Sequence, residues 1–287
     1  MPLHGACPAI DQPGFTAGQP LRSDRMRSIS GAMPLDVVDL RAFYASPLGH
    51  VARRFIGRAM LRFWPDCSRQ RLLGLGYATP YLSVLGMQAE RTIAFMPAAQ
   101  GVVNWPSSGL SASALVEPTL LPLPTASIDR VVLVHALEET ESPDDLLEEV
   151  SRVLNPGGRM ILVVPNRRGL WARMDGTPFG QGRPFSRRQL SVLMRGAEFS
   201  PKHWTEALYV PPLQRRLLMR SALAWEQVGA GLSLPFAGVH IIDATKQFYR
   251  RAPLRATRRS FALRPVLLPQ PSPTPRAANP PAEARPG

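Results

Sequence analysis

The residues best suited to chemistry gather around a glycine turn. Gly74-Leu75-Gly76-Tyr77-Ala78-Thr79-Pro80 follows a short apolar run and opens a helical segment. Glycines at this spacing let the backbone approach a ligand closely, and a helix start offers free N–H groups. The same residues equally make an ordinary tight turn between a strand and a helix. A nicotinamide-dinucleotide site would need G-x-G-x-x-G/A and a carboxylate ~20 positions on. Here Thr79 takes the sixth position, and the next apolar run ends in Ala94-Phe95-Met96 with no carboxylate. His135 directly follows another apolar run, where the cleft of an open α/β sheet lies. It can orient or deprotonate a substrate there, or it can be a packing histidine.

Other chemistries find little support. His4, His50, His135, His203 and His240 show no H-x-x-x-H spacing, so no metal site is expected. The chain contains neither a G-x-x-x-x-G-K-[ST] loop nor a G-x-S-x-G elbow. Cys7 and Cys67 cannot build a disulfide framework.

The elements that position these residues are legible in the apolar pattern. Short continuous runs at 71–75, 92–95, 114–116, 128–134 and 159–164 read as strands buried on both faces. Residues 36–64 predict one or two helices broken near Pro47, with Val51, Phe55, Ala59 and Phe63 at a spacing of four. Ser142-Pro143-Asp144-Asp145 predicts a capped helix start, and Leu146, Leu147, Val150, Val153 and Leu154 form its apolar face. Asn155-Pro156-Gly157-Gly158 predicts its stop. Ser186 with Gln189 predicts a capping box for a helix ending near Gly196. A strand is expected around 203–210, an Arg-rich helix around 213–228 and a last strand around 239–245. Strand alternating with helix predicts an α/β, doubly wound sheet with helices on both faces.

Composition sets the boundaries. The 287 residues carry a formal net charge of +13, with 45% apolar residues. That charge is unevenly placed: residues 71–165 sum to −5, whereas residues 166–287 sum to +14. From Arg215 to Arg264 the chain is strongly basic, with Tyr249 and Phe261 interleaved. This stretch suits an anionic partner, RNA or a membrane surface, or is a solvated basic face. Residues 1–33, rich in Gly, Pro and Ser, are expected to form a disordered extension. The central domain is expected over 34–250, in three parts: helices over 34–70, a cofactor half over 71–165 and a substrate-side half over 166–250. The basic, Pro-rich segment 251–287 is expected to be a disordered tail. No apolar run approaches a membrane span and no secretory signal pattern opens the chain, so a cytoplasmic protein is expected.

The order of segments carries a family resemblance. Leu121-Pro122-Leu123-Pro124 precedes Ser127-Ile128-Asp129-Arg130-Val131-Val132, then His135-Ala136-Leu137-Glu138-Glu139, then Arg152-Val153-Leu154-Asn155-Pro156-Gly157-Gly158-Arg159, and Pro165-Asn166 follows. This succession resembles the class I S-adenosylmethionine-dependent methyltransferases of the type 11-like group, over roughly 71–198 and extending to 247. The resemblance implies a Rossmann-like, seven-stranded, mostly parallel sheet with an antiparallel last strand. It also implies S-adenosyl-L-methionine as cofactor and in-line methyl transfer to a small-molecule, lipid-like or protein acceptor.

Carried over residue by residue, the family's acidic-x-Gly-x-Gly-x-Gly loop is degenerate. Gly74 replaces the acid, Gly76 matches the first glycine, Ala78 replaces the second and Pro80 the third. Met96 stands where the resemblance places the ribose carboxylate, with Gln100 and Asn104 nearby as candidate substitutes. Glu117 matches the acid that faces the adenine amine. The resemblance therefore puts Gly74, Gly76, Tyr77, Ala78, Met96 and Glu117 at the cofactor, His135 at the cleft, and Asn166 and Trp171 by the acceptor. The departures leave two readings: a cofactor held by backbone and apolar contacts with Glu117 as anchor, or an inactive methyltransferase-like binding or scaffold protein. An RNA-associated methyltransferase using the basic region is a third.

Overall fold

The computed structural model describes residues 35–212 and 236–247, together with 221, 225, 226, 228 and 229. Two N-terminal helices, α1 (Val37–Ala45) and α2 (Pro47–Phe63), lead into an alternation of strands and helices. The strands are β1 (Arg71–Gly76), β2 (Arg91–Pro97), β3 (Ser113–Val116), β4 (Ile128–Val134), β5 (Leu154–Pro165), β6 (Phe199–Ala207) and β7 (Val239–Lys246). The helices between them are α3 (Thr79–Leu85), α4 (Pro143–Val153), α5 (Pro178–Gln181) and α6 (Arg187–Gly196). The strands form one seven-stranded sheet in the order β3-β2-β1-β4-β5-β7-β6. The first five strands are parallel to one another, and β7 is antiparallel to both β5 and β6.

Strand geometry sends alternate side chains to opposite faces, and both faces are covered. Leu72, Val132, Val134, Ile161 and Val163 face one way, against Leu40, Ile56 and Met60 of α1 and α2 and Leu82 of α3. Leu73, Leu75, Val131, Leu133, Met160 and Leu162 face the other, against Leu146, Leu147 and Val150 of α4 and Leu190 and Met194 of α6. The expected unbroken apolar runs are the consequence. At the break near Pro47, Ser46 accepts a hydrogen bond from Gly49 N–H (3.1 Å) and so caps α2.

Three local expectations are corrected. Ser142 precedes α4, but its side chain makes no cap hydrogen bond; Pro143 and the two aspartates start the helix without it. Asn155–Gly158 belongs to the beginning of β5, with Gly157 at φ +74°, because Leu154 already pairs with Ile128 across a bulge. β6 begins at Phe199 rather than near His203, since Phe199 opposite Lys246 closes its register. The extension 1–33, most of the Arg-rich 213–228 segment and the 251–287 tail lie outside the described residues.

The amino ends of the strands are tied by charged groups. Arg71 meets Asp129 through its backbone N–H (2.9 Å) and guanidinium (3.0 Å), and Asn155 donates to the same carboxylate. This keeps the Asp129 carboxyl below its ordinary range, the Arg71 and Asn155 hydrogen bonds outweighing its partial burial. Arg152 of α4 pairs with Glu149 and donates to Leu121 O (3.1 Å) and Leu123 O (2.9 Å), clamping the Leu-Pro segment. Fully buried Asp243 of β7 accepts from Trp64 Nε1 (3.1 Å) and from Arg159 Nε (3.0 Å), joining the end of α2 to β5 and β7. Removing one partner of a buried ion pair strands the other. Asp243→Ala is therefore expected to lower the unfolding free energy by about 3 kcal/mol in urea denaturation. A loss within about 0.5 kcal/mol, the range of an unremarkable surface change, would show that the tie is not needed.

Candidate functional site

β1 and β4 end side by side, and backbone conformation sets what lies between them. Gly76 has φ +80°, and a Cβ there would lie 2.3 Å from Val134 O and 2.8 Å from His135 O. Only glycine meets both demands. Gly74 serves packing: its missing side chain admits Leu82 of α3, whose Cδ1 would lie 2.5 Å from a Cβ. Ala78, at φ −84°, precedes α3 in a helical conformation open to any residue, and Pro80 lies in the first turn. The departures from the glycine pattern thus introduce no backbone strain here.

Across from Gly76, His135 is itself left-handed (φ 51°) and fully buried. Its Nε2 is 3.0 Å from the Tyr44 hydroxyl, which lies 3.1 Å from the Tyr81 hydroxyl. Its Nδ1 lies 3.2 Å from Glu138 Oε1. Tyr77 stacks on Tyr44 (centroids 5.4 Å apart), and Phe179 packs against the His135 ring (4.8 Å). Burial pushes the Tyr44, Tyr77 and Tyr81 hydroxyls above their usual range, so they stay protonated. Gln100, buried, donates from Nε2 to His135 O (3.1 Å), and its own carbonyl accepts from Val37 N–H (2.8 Å). The start of α1 is thereby fastened over the strand ends.

Beside this network lies a cavity of about 730 Å³ at the carboxyl ends of β2, β3 and β4, within the size range of small-molecule sites. Five carboxylates line it (Glu117, Glu138, Glu139, Glu141 and Asp145), with Arg183 as the one basic residue in its wall. Gln100 Oε1, Glu138 Oε2 and Glu139 Oε1 are buried acceptors with no hydrogen-bond partner among the described residues. Such groups are costly to leave unpaired. They suit a ligand rich in donors and positive charge. Burial, reinforced by the Glu138 charge, raises the Glu139 carboxyl above its ordinary range, against the Leu35 N–H it accepts.

The expected site residues are not all brought together. Glu117 is exposed and lines the cavity, with Oε1 accepting from Thr119 Oγ1 (3.1 Å). Met96 is fully buried on the α1 side of the sheet, its sulfur 3.4 Å from Val103 N. Tyr77 and Asn104 line a separate cavity of about 630 Å³ beside α3. Asn166 is buried, donating to Ala237 O (2.9 Å) and accepting from Arg168 N–H (3.0 Å), at a third cavity beyond β5. Trp171 is a core residue, its Nε1 donating to Val210 O (2.8 Å). Of the basic stretch from Arg215 to Arg264, Lys246 is described, donating to Leu154 O (2.8 Å). Among the described residues no group of His, Cys, Asp and Glu converges as a metal site would.

Residues 74–162 match the methyltransferase-domain family. The chain has the fold of the class I methyltransferases. Its fold is shared with an S-adenosylmethionine-dependent methyltransferase of Thermotoga maritima, a histamine N-methyltransferase candidate. That similarity has a TM-score of 0.51 at 18% identity, covering 74% of this chain and 96% of the other. A chain from the Haloferax volcanii complex of the Trm112 methyltransferase activator with its candidate methyltransferase is also similar. Its TM-score is 0.54 at 16% identity, covering 74% and 98%. At such identities the likeness is one of fold. No curated protein matches the sequence.

Around this site, the residues that sequence reasoning overlooked are Tyr44, Glu138 and Glu139. The paired acids after His135 are visible at a strand end. Tyr44 is 91 positions from His135, and nothing local in the sequence marks it. Because the folded protein holds the Glu139 proton at a higher pH than the unfolded chain does, stability falls as pH rises through that window. Glu139→Gln, which retains an acceptor for Leu35, is expected to raise the thermal midpoint at pH ~7 without ligand, the gain disappearing below ~4. An unchanged midpoint at neutral pH would show that the carboxylate is relieved by solvent.

Proposed function

We propose that the domain binds S-adenosyl-L-methionine at the acidic cavity and transfers its methyl group to a small-molecule, lipid-like or protein acceptor. The observation that carries this reading is the charge of the cavity wall at the carboxyl ends of β2, β3 and β4, where Glu117, Glu138, Glu139, Glu141 and Asp145 stand together with Gln100. When bound, the cofactor supplies a methyl group on a sulfonium centre. Its hydroxyls, amines and net positive charge match a wall that offers acceptors and negative charge.

Within this reading each residue has a part. Glu117 accepts from the adenine amine at the exposed side of the cavity. Gln100, rather than Met96, takes over from the missing ribose carboxylate: it lines the cavity, and its Nε2 is held by His135 O. Gly74, Gly76, Tyr77 and Ala78 shape the turn that brings β1 against β4. His135, through Tyr44 and Gln100, holds the strand ends in register and orients what enters between them. Asn166 and Trp171 order the acceptor side after β5. Methyl transfer by in-line displacement rests largely on such positioning. No described helix is long and apolar enough to cross a membrane, and we place the protein in the cytoplasm.

Calorimetric titration with S-adenosylhomocysteine tests this. Wild type is expected to bind. Gln100→Ala should weaken binding about fivefold, the loss of one neutral hydrogen bond, and Glu117→Ala about tenfold or more, since that acceptor is ionised. No heat at near-millimolar ligand would overturn the reading and leave a methyltransferase fold kept for binding alone.

A further inference from the structure

Two Arg-Arg pairs far apart in sequence meet beyond the end of β5. A β-bridge joins Asn166 to Phe185, and Arg167 N–H donates to Phe185 O (3.1 Å). Arg167-Arg168 therefore runs beside Ser186-Arg187-Arg188, at the start of α6. The Asn166 side chain holds the first pair through Arg168 N–H (3.0 Å), and the Ser186–Gln189 capping box holds the second. The four arginines wall a cavity of about 700 Å³ whose remaining lining includes Trp204, Tyr209, Glu206 and His240.

The polar inventory of this cavity is lopsided. Among the described residues Glu206 is its one carboxylate, and that group is already engaged, 3.1 Å from His240 Nδ1 and 3.5 Å from the Tyr209 hydroxyl. The closeness of His240 holds the Glu206 carboxyl below its ordinary range, against its partial burial. Among the described residues none of the four guanidinium groups has a hydrogen-bonded carboxylate. Arg187 instead lies over the Trp204 ring, 4.9 Å from its centroid. The Trp204 Nε1–H is buried and has no acceptor among the described residues. Donors and positive charge therefore converge on a concave space with an aromatic wall.

We infer that this cavity is a binding site for a phosphorylated small molecule, its phosphate or diphosphate gripped by Arg167, Arg168, Arg187 and Arg188 and its organic part lying against Trp204 and Tyr209. Guanidinium forks match phosphate oxygens in bidentate geometry and keep their charge at any physiological pH. The Trp204 ring seats the Arg187 guanidinium at the wall of the cavity. A concave pocket favours a discrete ligand over an extended phosphodiester. The site shares no lining residue with the acidic cavity.

Calorimetry on the full chain with inorganic pyrophosphate is the test, with S-adenosylhomocysteine titrated into the same samples. Wild type is expected to bind pyrophosphate with an affinity that falls as salt is raised. The double variant Arg168→Gln/Arg188→Gln should bind at least about tenfold more weakly. Trp204→Ala, which removes the ring that seats Arg187, should lose about twofold or more. The response to S-adenosylhomocysteine should be the same in all three, so that a failure here is distinct from a failure of the cofactor reading. Silence toward pyrophosphate at millimolar concentration, or equal binding by wild type and double variant, overturns the assignment. An oligoribonucleotide that binds wild type and not the double variant, while pyrophosphate gives no signal, also overturns it and makes the arginines a nucleic-acid surface.

Discussion

A side chain at position 76 would collide with the carbonyl oxygens of Val134 and His135. That close approach lets β1 and β4 end against each other, and everything above the sheet is arranged around it. With Gly76 left-handed, His135 turns into the space beyond β4, also left-handed, and presents its carbonyl to Gln100 and its ring to Tyr44. α1 is in turn held by Gln100 O and by Tyr44, and so covers the strand ends. Strained residues of this kind persist where the surroundings over-determine them, and here the surroundings are these hydrogen bonds.

The two edges of the sheet divide the labour. At the amino ends, charges are matched: Arg71 with Asp129, Arg152 with Glu149, Arg159 with Asp243. At the carboxyl ends they are segregated. Carboxylates surround the cavity beside β2, β3 and β4, while arginines surround the cavity beyond β5. Matched pairs hold the structure together. Segregated charge is a standing field for ligands of opposite sign, focused by the concave walls. The overall excess of +13 hides this, because it averages an acidic segment with a basic one.

The stretch that best reveals the family does structural work. Arg152 clamps the Leu121–Leu123 carbonyls, Asn155 reaches Asp129, and Arg159 secures the last strand through Asp243. It lies at the amino edge, away from the acidic and arginine-walled cavities at the carboxyl ends. The glycine loop, nearest the site, is where the pattern degenerates. Fold was therefore more legible than chemistry: a motif that ties strands together is constrained by local geometry, whereas ligand contacts can be supplied by other residues. In the proposed site, Gln100 is one such replacement.

What the amino-acid sequence determined by itself was the alternation of buried strands and amphipathic helices, and hence a doubly wound sheet. Those follow from short-range periodicity and from caps such as Ser186 with Gln189, which act within a few residues. The tertiary structure alone decided which polar groups would share a space. Tyr44 meets His135 across 91 positions, Trp64 meets Asp243 across 179, and two Arg-Arg pairs become neighbours through the Asn166–Phe185 bridge. Such meetings depend on strand order and on which helix covers which face. They are set by closure of the whole sheet, so no local pattern could announce them.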